Sequence, residues 1–360
     1  MAFERLASRL NGSRCACQRR RLLLAAGAGY ILPAVFPLAG WAQSREAAAI
    51  TLSVPGPHGS VSYPLELAVK LGLDRDEGIA LRLKFVGGGG VAIQDLESGN
   101  AAFAVFGLPA AMVANTAAQS NLVALAAIDD LPLYSLMVRQ DLKGKVKRIA
   151  DLKGMRIGIF SNALATKTTS HQILELLLQV HGISAADVSI VAAGQSWDTQ
   201  SSAFIAGSVD ASMCDEPFAA RLGTEKLAFE LFSTGVPGDA RRVPGAGFLR
   251  AALIARRRQL DDEPLLAERV VKVVKRTLAW IASHSPEQFA DALGMVDSER
   301  DAFLGVARKH PRQYSSDGRF SLRQLRETET FFHAGKAGFP QANGYRLDNM
   351  VVDRWAGSKP

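Results

Sequence analysis

The chain has 360 residues, 48% of them apolar and 21% charged, with a formal net charge of +7. Its first 42 residues hold six Arg and one Glu, so the other 318 carry only +2, and no basic footprint for a nucleic acid remains. Of three cysteines, Cys15 and Cys17 lie in that leading segment and Cys214 stands alone, which excludes an internal disulfide in the rest and leaves no Cys/His spacing for a metal.

The leading segment reads as an export signal: a basic stretch ending in Arg19-Arg20-Arg21, an apolar run from Leu22 to Ala39, and small residues Gly40 and Ala42 before Gln43. Cleavage is expected near Ala42, which sends the mature chain to the periplasm. Gln18 to Leu23 also fits a twin-arginine pattern, so the Sec and twin-arginine routes both stay open. Gly27, Gly29, Pro33 and Pro37 interrupt the apolar run and argue against a retained anchor.

From Ile50 to about Thr234, apolar runs of strand length alternate with segments of helical period, the pattern of an α/β protein with parallel sheet covered by helices on both faces. Strands are predicted at Ile50 to Val54, Ala80 to Val86, Ala102 to Phe106, Val123 to Ile128, Tyr134 to Val138, Arg156 to Phe160, Val188 to Ala192, Val209 to Cys214 and Leu227 to Ser233. A late strand is predicted over Gly247 to Ala255. Helical spacing falls between them, and Asp262-Glu263-Pro264 opens a long helix in a wholly helical C-terminal region. The 318 residues exceed the usual size of one core, so two lobes are expected. The turn-rich stretches Gln140 to Ile149 and Gly235 to Gly245 read as crossovers between them. They assign 43–139 and 246–360 to the first lobe and 140–245 to the second, with a hinge and a cleft between.

Several motifs then fall into order: Pro64-Leu65-x-Leu67-Ala68-x-x-x-Gly72, Glu77-Gly78-Ile79, the glycines Gly87 to Gly90, Leu96-x-Ser98-Gly99, Asp151-Leu152-Lys153-Gly154-x-Arg156-Ile157-Gly158, Gly207-x-Val209-Asp210-Ala211 and Glu216-Pro217. In order and spacing the chain resembles the periplasmic substrate-binding proteins of the nitrate, sulfonate and taurine class of ABC importers, which includes binders of pyrimidine precursors. The resemblance implies a two-lobed type II periplasmic-binding fold. It also implies a small organic solute as ligand, an ABC permease in the inner membrane as partner, hinge closure, a monomer, and no cofactor. The alternatives are an enzyme on the same fold, akin to a pyrimidine-precursor synthase or a desulfinase, and a periplasmic solute sensor. Asp215 departs from the pattern, since many relatives carry an aromatic before Glu-Pro.

Ligands in open α/β sheets bind beyond the carboxyl ends of strands, so the strand exits supply the candidate binding residues. In the first lobe these are His58 and Ser60 after the first strand, Gly88 and Gly89, where a backbone without Cβ can approach a ligand, and Gly107 and Leu108. In the second lobe they are Ser161, Asn162 and Thr166 before a long helix, Trp197 as a planar wall, and Asp215 and Glu216. Helix capping is the competing role for Thr166 and for the acid pair, and core packing that for Trp197. Glu216 is the preferred ligand contact of the pair. For catalysis Cys214 would be the obvious nucleophile, but the acids beside it oppose thiolate formation. No catalytic or metal-binding residue is assigned. The ligand expected at such acids has an N–H or cationic end together with an acceptor end.

Overall fold

The computed structural model describes residues 48–117, 119–160, 167–335 and 345–360. The expected export signal, and Ser161, Asn162 and Thr166, lie outside the described residues. Among the described residues no helix is long and apolar enough to cross a membrane.

Ten strands build two five-stranded sheets: β1 (Ala48–Pro55), β2 (Ile79–Val86), β3 (Phe103–Gly107), β4 (Leu122–Ala127), β5 (Tyr134–Arg139), β6 (Arg156–Ile159), β7 (Ser189–Ala192), β8 (Ala211–Asp215), β9 (Ala228–Ser233) and β10 (Ala251–Arg256). The first sheet has the order β2-β1-β3-β10-β4 and the second β7-β6-β8-β5-β9. The two orders share one plan.

In each sheet one strand runs against the others. β1 pairs parallel with β2 and β3, and β6 parallel with β7 and β8, whereas β10 is antiparallel to β3 and β4, and β5 to β8 and β9. The expectation of wholly parallel sheets is corrected accordingly. Both reversed strands adjoin a passage between sheets, where the chain arrives from the other lobe and enters its new sheet head-on.

The first passage also lies earlier than the turn-rich stretch suggested. β5, expected in the first lobe, belongs to the second sheet, so the chain crosses between Ala127 and Tyr134. Gln140 to Ile149 is instead a largely exposed connection within the second lobe. Apolar period reports burial, and β5 is buried in either sheet. The return crossing lies between Ser233 and Ala251 and contains Gly235 to Gly245.

Buried side chains surround both sheets. Leu52, Phe103, Val105, Leu125, Leu253 and Ile254 anchor the first core, while Leu136, Ile157, Ile159, Leu174, Leu177 and Met213 anchor the second. The helix Thr169–Val180 exists because Ile173, Leu174, Leu177 and Leu178 repeat at helical spacing and bury one face. Pro264–Ser283 starts with Pro in its first turn and buries Val270, Val273, Val274, Thr277 and Leu278. Next come the helices Pro286–Leu293 and Asp297–Lys309, whose Phe289 and Phe303 pack edge-on with Tyr63 of the helix Tyr63–Lys70, at centroid distances of 6.4 and 5.5 Å. The helix Asp297–Lys309 thereby rides on the first lobe, yet Ser298 near its start meets Arg221 and Glu225 around the second-lobe helix Phe218–Thr224, at 3.0 and 2.9 Å.

Candidate functional site

The carboxyl ends of β1, β3 and β8 bring Pro55, Gly107 and Asp215 to one crevice. Because β5 and β10 run the other way, their starts arrive at the same edges, which is how Tyr134, the first residue of β5, and Arg250, just before β10, come to join them. Gly89, Phe106, Phe160, Thr168, Thr169, Ser170 and Gln195 join Val61 and Ala110 in the rest of the lining of a cavity of about 30 Å³, room for about one water. Both lobes contribute walls.

The lobes meet closely around it. A Cβ on Gly107 would stand 2.0 Å from Thr169 Oγ1, and one on Gly56 would stand 2.1 Å from the Gln195 carbonyl oxygen. Ser60 N–H donates across the junction to the Glu216 carbonyl at 3.2 Å. Glycine at these strand exits is what permits the contact.

Arg250 is fully buried and held on two sides: Nε donates to Asp129 Oδ2 and Nη1 to Ser60 Oγ, both at 2.7 Å. Asp129, also fully buried, accepts from the Ala251 N–H through its other oxygen. This leaves Arg250 Nη2 buried without a partner among the described residues. Asp215 Oδ1, Gln195 Oε1 and the hydroxyls of Thr168, Thr169 and Ser170 are buried and unpartnered too. Such groups are rarely left unmade in a native interior, and here all of them line one cavity. Thr168 is the N-cap residue of the helix Thr169–Val180 and its side chain makes no capping bond, so that helix presents open amides as well.

Burial pushes the Asp215 carboxyl up to about 6, against the pull of the Arg250 charge. Burial raises Glu216 to about 7.

Of the residues that the sequence points to, Gly89, Gly107 and Asp215 line the cavity, and Ser60 stands behind it on Arg250. Gly88 and Leu108 flank the lining, and the Leu108 N–H donates to the Arg250 carbonyl at 2.8 Å. His58 turns outward, with Nδ1 3.2 Å from Glu299, whose hydrogen bond raises the imidazole pKa. Trp197 lies under the Arg221 guanidinium at 4.0 Å, in packing outside the crevice. The Glu216 carboxylate also turns away, accepting from Ala220 N–H at 3.0 Å and from Ser135 at 3.4 Å. Asp215, the less favoured acid of the pair, is the one that reaches the cavity. Thr168 and Thr169 belong to the hydroxyl-rich exit before the long helix, whereas Arg250, Tyr134 and Ser170 are contacts that strand exits alone do not indicate. The sequence signal for Arg250 is a lone charge inside the apolar run from Phe248 to Ala255.

Cys214 is fully buried among Met137, Phe204 and Leu222, its Sγ 3.6 Å from the Ser212 carbonyl, and burial pushes the thiol pKa up. A disulfide reagent such as dithionitrobenzoate should therefore leave native protein unlabelled and react stoichiometrically in denaturant. Rapid labelling of the native form would overturn this placement.

Two sheets that share a strand plan, are joined by two crossings and enclose a polar cavity between facing strand edges define the periplasmic-binding-protein fold. Solved structures agree. A protein from Bordetella bronchiseptica RB50 superposes with a TM-score of 0.77 at 21% identity, covering 86% of this chain and 96% of that one. The alkanesulfonate-binding protein SsuA from Xanthomonas axonopodis pv. citri, solved with MOPS, gives 0.65 at 18% identity over 86% and 99%. The desulfurization enzyme DSZB gives 0.56 at 16% over 86% and 97%. The chain belongs to the NMT1/THI5-like family, whose model matches residues 61–288. No curated protein sequence matches this chain.

Proposed function

We propose that the protein is an extracytoplasmic solute receptor that encloses a small organic ligand between its lobes and delivers it to an ABC permease. One observation carries the reading: the unpartnered Arg250 Nη2, Asp215 Oδ1, Gln195 Oε1 and three hydroxyls converge, buried, on a single cavity at the lobe junction. Arg250, the hydroxyls and the helix amides suit an anionic or strongly accepting group. Asp215 and Gln195 suit an N–H donor or cation. The ligand is therefore a small molecule with both ends, and Tyr134, Phe106 and Phe160 supply apolar walls for its body when the lobes close on it less tightly than in the empty cleft, whose cavity holds about one water.

The lobes open at the two crossings, ligand bridges the two sets of groups, and closure removes it from water. Ligand-bound closure is favoured because the polar atoms gain partners that the empty closed cleft lacks. Mass spectrometry of what copurifies with the exported protein identifies the solute. Calorimetry then measures its affinity, and uptake by a strain lacking the gene tests delivery. Unchanged uptake of that solute would overturn the transport role.

Asp215 sets a pH dependence. Its folded pKa, about 6, lies above the ordinary 3.8, so ionising it inside the closed cleft costs about 3 kcal/mol above pH 6, a cost that vanishes by pH 4. Asp215→Asn is expected to raise the thermal midpoint of the ligand-free protein at pH 8 and to match wild type near pH 4. The same variant should lose affinity for the solute at pH 8. A midpoint difference independent of pH would show that folding does not raise the Asp215 pKa above its ordinary value.

A further inference from the structure

Two cavities outside the cleft meet at Asp130 and Arg312, and neither shares a lining residue with the crevice between the lobes. The larger, about 400 Å³, is walled by Phe289, Phe303, Pro286 and Tyr314. The smaller, about 210 Å³, gathers Arg312, Arg323 and Lys359 at the start of the helix Leu322–Ala334. A cavity with aromatic walls thus adjoins a cationic one, with Asp130 and Arg312 lining both.

Polar groups at their join lack partners. Gln324, 1% exposed, spends its amide nitrogen on the Asp130 carbonyl at 2.9 Å, and its Oε1 is left bare. Asp130 Oδ1 and Tyr314 Oη are likewise buried and unpartnered. Lys359 is committed to Asp317 at 3.0 Å and to Asp130 at 3.8 Å, whereas Arg312 and Arg323 have no ion-pair partner among the described residues. Two guanidiniums that make no ion pair and meet the Asp130 charge only at longer range suit an anion, while two bare acceptors call for a donor.

We infer that the paired cavities form a second ligand site, which takes an amphipathic carboxylate carrying an amide or hydroxyl donor between an apolar body and its anionic head. The body lies against Phe289, Phe303 and Tyr314, the head between Arg312 and Arg323, and the donor faces Gln324 Oε1 and Asp130. Three probes separate these demands: hippurate has all the parts, 4-phenylbutyrate lacks the donor, and inorganic phosphate lacks the body.

Calorimetry on the full chain should show saturable hippurate binding with Kd at or below about 1 mM. 4-Phenylbutyrate should bind several-fold more weakly, and phosphate should not saturate. Arg312→Ala/Arg323→Ala, both exposed positions, should weaken hippurate at least tenfold, and Phe303→Ala should do so through the body. Gly107→Val, which obstructs the cleft, should leave hippurate binding intact. Binding lost in Gly107→Val but retained in the double arginine variant would assign hippurate to the cleft and overturn the inference. No saturable binding, or phosphate binding as tightly as hippurate and thus an adventitious ion only, would overturn it too.

Discussion

Replacing Arg250 by Met is expected to lower the unfolding free energy by about 3–5 kcal/mol, because it strands the fully buried Asp129 carboxylate without its cation. Urea denaturation measures the loss as a shifted midpoint at an unchanged slope. Arg250→Met combined with Asp129→Leu removes both charges and should recover most of the stability. Affinity for the solute should be absent in both variants. A double variant that regained stability and still bound normally would remove Arg250 from the ligand site. Arg250→Lys keeps the charge but lacks a planar fork able to bond Asp129, Ser60 and a ligand at once. It should be more stable than Arg250→Met while still binding poorly.

Gly107→Val separates closure from folding. The backbone of Gly107 lies outside the left-handed region, and nothing within its own lobe would come nearer to an added Cβ than the Arg250 carbonyl at 3.5 Å. The obstruction is Thr169 across the junction, with Oγ1 at 2.0 Å and Cβ at 3.0 Å. The open protein should fold with nearly the wild-type melting temperature. If the closed state is raised by about 3 kcal/mol, apparent affinity falls about a hundredfold. Small-angle scattering should show no compaction when solute is added. Thr169→Ala removes the worst overlap and should return part of the affinity. Wild-type affinity in Gly107→Val would mean that binding does not need this closure.

Most strands are legible in the sequence to within one or two residues, because apolar period and flanking turn residues report burial and chain reversal. What period does not report is which sheet a buried strand joins. Tyr134 to Val138 looks continuous with the strands before it, and only pairing with β8 and β9 reveals otherwise. The same blindness hides part of the site. Attention to strand exits finds Gly89, Gly107 and Asp215, but a reversed strand brings its entrance to that edge, and Arg250, just before β10, and Tyr134 escape notice for this reason. Glu216 and Asp215 are adjacent acids that local sequence cannot tell apart. Which one faces the crevice follows from strand alternation and from the amide of Ala220 that captures Glu216. His58 is beyond reach, since its partner Glu299 is 241 positions away in the chain.

The contact of Ser298 with Arg221 and Glu225 joins an appendage of the first lobe to a helix of the second, on the outer rim and clear of every residue that lines the crevice. On the proposed receptor function, opening would part these side chains. A polarity-sensitive dye attached at position 298 would therefore brighten or dim with each capture and release, turning the protein into an optical reporter of its own solute without a label near the ligand.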